Sequence, residues 1–268
     1  MEVALLLAGA YLLGSIPFGV LAARAKGVDL ATVGSGNVGA TNVHRALGIR
    51  WGLAVFALDV AKGLAPALCA RLLFASPGVI DPPAVADAGF WTLVAGIAAV
   101  VGHCASPWLR FRGGKGIATG LGAILGSSPL VGLCALGVFA LLFVPTRVVS
   151  LSSLVAAASL IPFGIVWGDS GAVVTTYGAL LAFVLFRHRA NIERLWKGTE
   201  PKFRASGPIK KESGTNERAV EPALEEAESE PETRSVHDPG GARVPAVSAG
   251  VDEDAIVSTR EAQTETPP

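Results

Sequence analysis

The chain has 268 residues, of which 51% are apolar and only 16% charged, with a mean hydropathy of +0.50. That balance excludes an ordinary soluble domain of this length and points to an integral membrane protein. The net charge of zero is a cancellation, because residues 1–204 hold 16 basic against 8 acidic side chains while the segment after Arg204 holds 6 against 14.

A bilayer core about 30 Å thick needs roughly 20 apolar residues of helix. Residues 3–23 meet that length, and because Arg24 and Lys26 follow the stretch while only Glu2 precedes it, a permanent span is expected and not a signal peptide. The next loop, Gly34 to Gly48, contains a literal GxGxxG, with Asp59 falling 20 residues beyond its last glycine. A dinucleotide site needs a strand before such a loop and a βα unit after it, whereas this one hangs between apolar helices. The better reading is an anion nest, in which glycines free backbone amides and Ser35, Asn37, Thr41, Asn42 and Arg45 add donors around them.

Residues 52–75 form the second expected span and carry Asp59 and Lys62 three positions apart, where charge is costly and is usually paired or functional. A structural ion pair is the preferred role over a catalytic one. Residues 89–105 follow as a third span. Cys69, Cys104 and Cys134 show no CxxC spacing, so neither a zinc site nor a disulfide framework is expected. The loop after the third span ends Arg112-Gly113-Gly114-Lys115-Gly116 and opens directly into an apolar helix, which offers amides and a lysine to an anion. It is not a Walker A loop, since Gly116 stands where Ser or Thr would follow the lysine. His103, at the end of the span, suits either packing or function.

Residues 117–144 are too long for one straight span, and Gly126-Ser127-Ser128-Pro129 divides them into a tight pair. The spacings Gly116–Gly120 and Gly122–Gly126 are a helix-packing signal. Residues 151–166 and 172–186 complete the apolar series. The last span runs on into His188-Arg189-Ala190-Asn191-Ile192-Glu193-Arg194-Leu195-Trp196, where His188, Asn191 and Arg194 share one helical face and Ile192, Leu195 and Trp196 suit the membrane interface. Alone, this segment reads as an interfacial anchor. After Phe203 the composition turns to Glu, Pro, Ser, Thr and Gly, so residues 205–268 are expected to form a disordered acidic tail behind a transmembrane domain of residues 1–204.

The fold class expected is thus an all-α integral membrane protein of about seven transmembrane helices, N-terminus outside and C-terminus cytoplasmic. Orientation follows from the basic residues, which gather in segments 24–51, 106–116, 146–150 and beyond Arg187, while the opposite loops carry Asp81, Asp87 and Asp169 and no Lys or Arg. Five spans is the alternative, if the short helices are re-entrant.

Three runs in order, SGNVGATNVHRALG from Ser35, GHCASPWLRFRGGKGIAT from Gly102 and HRANIERLWKGTEPK from His188, resemble the PlsY-type acyl-phosphate:glycerol-3-phosphate acyltransferases of bacterial membranes. The resemblance covers nearly all of residues 1–204. Cys104-Ala105-Ser106 departs from the bulkier residues usual after that Gly-His, and the acidic tail lies outside the pattern.

The resemblance implies transfer of a fatty acyl group from acyl phosphate to the 1-hydroxyl of glycerol 3-phosphate, giving lysophosphatidic acid and phosphate, the first acylation in phospholipid biosynthesis. It implies a bacterial inner-membrane location with the site on the cytoplasmic face, no cofactor or metal, no nucleic-acid partner, and the acyl-phosphate-forming enzyme as a candidate protein partner. Ser35, Arg45, Lys115, His188 and Asn191 are then the candidate catalytic residues, with Ser35, Arg45 and Lys115 on the phosphates and Gly113 and Gly114 amides near the oxyanion. Asn37, Thr41, Asn42, Ser150, Arg194, Glu200 and Lys202 join as substrate-binding candidates. The general base is either His188 or the substrate's own phosphate. No histidine is followed five positions later by aspartate, the pair of the soluble-headed acyltransferases; His188 is followed by Glu193 at that offset. The competing classes are a transporter of a small phosphorylated solute, which should bind near the bilayer midplane, and a structural or regulatory membrane protein.

Overall fold

In the computed structural model the described residues are 1–76 and 78–204, and the tail assigned to residues 205–268 lies outside them. The described residues contain helices and no strand. In chain order these are α1 Glu2–Ser15, α2 Phe18–Arg24, α3 Ala40–Leu47, α4 Ile49–Ala75, α5 Ala88–Cys104, α6 Ile117–Ser127, α7 Pro129–Thr146, α8 Val149–Val166, α9 Gly171–Arg187 and α10 Arg189–Trp196, with single 3-10 turns at Leu30–Thr32 and Pro107–Leu109.

Every expected apolar segment is a helix, yet they are not equal in reach. Among the described residues, five stretches are long and apolar enough to cross a membrane: Glu2–Arg24, Ile49–Ala75, Ala88–Leu109, Pro129–Thr146 and Val149–Val166. The helices α9 and α10 are bent by 66° at His188 and reach the length of a sixth such stretch only when the two are taken together. Helix α6 has 11 residues, about 16 Å at 1.5 Å per residue, well under the thickness of a bilayer core. The first span is broken at Pro17, which has no N–H to give to the ladder.

Close backbone approach, with little hydrophobic drive available in lipid, holds the bundle together. A Cβ on Gly122 of α6 would overlap the Val60 carbonyl oxygen of α4, and one on Gly63 of α4 would overlap the Thr119 carbonyl oxygen of α6. Gly126 packs on Ala67 in the same seam and Gly116 packs against Val100 and Cys104 of α5, so of the four glycines in the expected small-residue stripe only Gly120 faces open space. A buried apolar cluster of Leu93, Ile124, Val131, Leu160, Val173 and Tyr177 ties α5, α6, α7, α8 and α9 together.

The interior charges pair as expected. Asp59 and Lys62 are each 3% exposed, with Oδ1 and Nζ 2.7 Å apart. His103 Nδ1 lies 3.6 Å from the same carboxylate, and Lys62 Nζ also donates to the Ile16 carbonyl at the break in the first span, 2.9 Å away. The pair thereby adds a second donor to the Ile16 carbonyl, which also accepts from the Phe18 N–H at 3.1 Å across the break. At the end carrying the acidic loops, Asp169 accepts from Ser128 Oγ at 2.9 Å and from the Tyr177 hydroxyl at 2.7 Å.

Candidate functional site

The other end of the bundle collects the basic, glycine-rich segments. Glu200 is their hub. Its Oε1 accepts from Ser150 Oγ at 2.7 Å and from Asn191 Nδ2 at 2.6 Å, and its Oε2 accepts from Arg194 Nε at 2.7 Å. Asn191 Oδ1 in turn accepts from Lys115 Nζ. Five residues from four separate stretches of chain are thus joined by direct hydrogen bonds. Arg45 stands close enough for Glu200 and Arg194 to perturb it electrostatically. Ser35 lies beside it, since the preceding Gly34 packs against the Arg45 side chain.

The cluster holds three cations, Arg45, Lys115 and Arg194, with Arg187 alongside, against the single carboxylate of Glu200. Burial pushes the Lys115 ammonium down to about 8, an effect that Glu200 opposes and Arg194, Arg45 and Arg187 reinforce. Burial also lowers Arg45 from its ordinary value. Burial would raise the Glu200 carboxyl, but hydrogen bonds from Ser150, Asn191 and Arg194 outweigh it and hold the group below the usual carboxylate range. An excess of partly desolvated positive charge of this kind is suited to an anion bearing more than one negative charge.

His188 sits at the 66° bend, where α9 stops and α10 begins. It is 2% exposed, and its Nδ1 lies 2.9 Å from the Val184 carbonyl oxygen. A carbonyl can only accept, so Nδ1 carries the proton and Nε2 presents a lone pair. Burial, with Lys115 nearby, pushes the imidazole down to about 4, which keeps it neutral at physiological pH.

Several expected donors are already committed. Asn42 is 1% exposed, its Oδ1 accepts from the Ser35 N–H at 3.1 Å, and its Nδ2 donates to the Leu30 carbonyl at 3.3 Å. Asn37 Oδ1 accepts from the Gly39 N–H at 2.9 Å. Asn37 uses only its acceptor oxygen in this way, whereas Asn42 spends both its oxygen and its amide on the first loop, and the expectation that Asn42 points a donor at a ligand is corrected. The same holds for the glycine amides of the second loop. Gly113 N–H donates to the Cys104 carbonyl at 2.9 Å and Gly114 N–H to the His103 carbonyl at 3.2 Å, so neither is free for an oxyanion. The glycines serve close approach, since a Cβ on Gly114 would overlap the His103 ring. Thr41 is half-buried and Lys202 exposed, and neither joins the Glu200 network.

Two features escaped the sequence reading. Arg187, which there is one more basic residue at a span end, donates from Nη2 to the Gly113 carbonyl at 2.9 Å and to the Gly114 carbonyl at 2.5 Å. The stretch after Glu200 also straps the site: Phe203 stacks on His44 with ring centroids 4.4 Å apart, its N–H donates to the Arg147 carbonyl at 2.7 Å, and His44 Nε2 donates to the Arg204 carbonyl at 2.8 Å. The only sequence signal for this strap is the recurrence of an aromatic within the polar run after Trp196.

An apolar cavity of about 100 Å³ adjoins the polar cluster. Gly116, next to Lys115, and Val184, whose carbonyl holds His188, line its upper part, and Gly120, Ile124 and Leu160 line it deeper between α6 and α8.

Comparison with known proteins follows the same outline. A family model described as glycerol-3-phosphate acyltransferase matches residues 4–198. The glycerol-3-phosphate acyltransferase of Geotalea daltonii is 46% identical over 200 residues, 74% of this chain and 96% of that protein. The one from Aquifex aeolicus is 44% identical over 204 residues, 76% of this chain and 100% of that protein. Crystal structures of PlsY, an integral membrane glycerol 3-phosphate acyltransferase, superpose with a TM-score of 0.68 in the glycerol 3-phosphate form and 0.66 in the lysophosphatidic acid form. The first is 43% identical and the alignment covers 76% of this chain and 96% of that one.

Proposed function

The chain belongs to the glycerol-3-phosphate acyltransferase family, and we propose that it transfers a fatty acyl group from acyl phosphate to the 1-hydroxyl of glycerol 3-phosphate. The observation that carries this reading is the meeting of Arg45, Lys115, Asn191, Arg194 and Glu200 at one end of the bundle, directly above an apolar cavity. Two phosphate-bearing substrates need such an excess of cations, and a fatty chain needs the cavity. Residues 1–204 carry the reaction. The multi-pass protein places its N-terminus outside a bacterial inner membrane and this site on the cytoplasmic face, an orientation supported by the basic residues clustered at that end.

In the reaction, the 1-hydroxyl oxygen attacks the acyl carbon, the bond from that carbon to the bridging phosphate oxygen breaks, and inorganic phosphate leaves. An acyl phosphate is a mixed anhydride with a good leaving group, so positioning and charge neutralisation supply most of the rate. Lys115, Arg45 and Ser35 hold phosphate oxygens, and Arg194 and Lys202 border the entry. Asn191 and Ser150 are held by Glu200 and orient the polar end of the acceptor. The hydroxyl proton goes to His188 Nε2 or to a phosphate dianion. Bound phosphates add negative charge beside Lys115, which raises His188 from its low value and makes it a better base in the complex than in the free protein.

Purified protein given palmitoyl phosphate and labelled glycerol 3-phosphate is expected to release labelled lysophosphatidic acid and one phosphate per turnover. Absence of that product, with labelled glycerol 3-phosphate accumulating in proteoliposomes, would establish the transporter reading instead.

A further inference from the structure

We propose that Arg187 is a positioning residue for the acyl transfer, clamping the Gly113–Gly114 backbone so that Lys115 and His188 are held in fixed relation to one another. The inference builds on the acyltransferase reading and adds a residue to that site. Its guanidinium bridges two successive carbonyls, Gly113 at 2.9 Å and Gly114 at 2.5 Å. The N–H groups of the same two residues are held from the opposite side by the Cys104 and His103 carbonyls at the end of α5. The dipeptide before Lys115 is therefore pinned along both edges, one edge by helix α5 and the other by Arg187 alone.

Arg187 is also the last residue of α9 and the immediate neighbour of His188. The side chain that fixes the lysine-bearing loop thus belongs to the same backbone turn that sets the direction of the imidazole. Lys115 Nζ reaches Asn191, one turn further along α10, so loop and bend are linked at two points. Both bonds come from the one Nη2 amino group at the far end of the guanidinium, whereas a lysine side chain ends one atom short of that position and cannot reach both carbonyls with the same geometry. The small residues on the loop fit this arrangement, because any side chain at Gly114 would collide with His103 beneath it.

The positive charge of Arg187 has a second consequence. Lys115 faces Glu200 and Arg194 from the C-terminal segment and α10, Arg45 from α3, and Arg187 from α9, with the neutral His188 at the bend. Arg187 is among the groups that favour the uncharged amine, so removing its charge stabilises the ammonium. The two functions of Arg187 can be separated by two substitutions. Arg187→Lys keeps the charge and loses the reach of the Nη2 amino group, while Arg187→Gln loses the charge and keeps a shorter planar donor.

Steady-state kinetics with palmitoyl phosphate and glycerol 3-phosphate, across pH 6 to 9.5, test the proposal on detergent-purified full-length protein. Arg187→Lys is expected to lower kcat/KM by about 10-fold or more at an unchanged melting temperature, with the alkaline limb of the pH profile unmoved. Arg187→Gln is expected to lower it similarly and to move that limb upward by roughly half a pH unit. Both variants within twofold of the wild type overturn the proposal. So does loss of activity matched by a lowered melting temperature with an unmoved limb in Arg187→Gln, which assigns the residue to folding alone. If Arg187→Gln does not purify folded, Arg187→Lys decides, a twofold or smaller change refuting the clamp. An inactive wild type would instead refute the acyltransferase reading itself.

Discussion

Replacing Glu200 by glutamine tests whether the site is organised around a carboxylate or merely bordered by one. The amide is isosteric, and its oxygen can still accept from Ser150 and Asn191, which lie 2.7 and 2.6 Å from Oε1. Its NH2 group then replaces Oε2 and faces Arg194 Nε at 2.7 Å, donor against donor. Loss of that charged bond costs about 1.5 kcal/mol, the low end of the range for hydrogen bonds to charged groups, because the Arg194 side chain is 36% exposed and water can replace the partner. The two surviving bonds fall from charge-assisted to neutral strength, roughly 0.7 kcal/mol each. Together these come to about 3 kcal/mol, or on the order of 100-fold in kcat/KM when the loss falls on the assembled site. The assay is lysophosphatidic acid formation alongside thermal unfolding in the same detergent. A Glu200→Gln protein within threefold of wild-type kcat/KM and unchanged in melting temperature would refute the hub. The sign of the pH dependence follows from the same bonds. A carboxyl held below its unfolded value contributes stability that is complete above that unfolded value, near 4.5, and is lost as pH falls through the folded one.

Lys115 must be charged to hold phosphate, so kcat/KM is expected to fall as pH rises through about 8, and Lys115→Arg is expected to carry that limb beyond the measurable range while weakening turnover. His188→Ala and His188→Gln are expected to lower kcat by 10²–10⁴-fold, and near-normal turnover in either variant would leave the substrate phosphate as the base. Gly120 meets nothing within 4 Å and borders the apolar cavity, so Gly120→Leu is expected to raise KM for palmitoyl phosphate several-fold, with KM for glycerol 3-phosphate unchanged in the same assay. Asp59→Leu strands a buried ammonium and is expected to lower stability by about 3–5 kcal/mol, with Asp59→Leu/Lys62→Leu less damaged than the single variant in thermal unfolding.

What was legible in one dimension divides along a physical line. Hydrophobic length and turn residues are local, so residues 117–127 and 129–146 separate at the expected Ser128-Pro129 break and the charged pair inside α4 closes as its three-residue spacing requires. The chemical nature of the site was also legible, because donors, glycines and basic residues are written in the loops themselves. Which donors remain free is a different kind of property. Asn42 and the Gly113 and Gly114 amides carry the right chemistry, yet each is consumed by a backbone partner that only the fold brings near, Leu30 for Asn42 and the end of α5 for the glycines. An unpaired buried amide is costly, so a tight loop spends its own donors first and leaves the ligand to longer side chains. Lys115, Arg45 and Arg194 have that reach, and Arg187 uses it on the loop instead of the ligand. A glycine-rich loop in this protein is therefore a means of seating a lysine, and the proposed function assigns anion recognition to the side chains that surround it and not to the backbone.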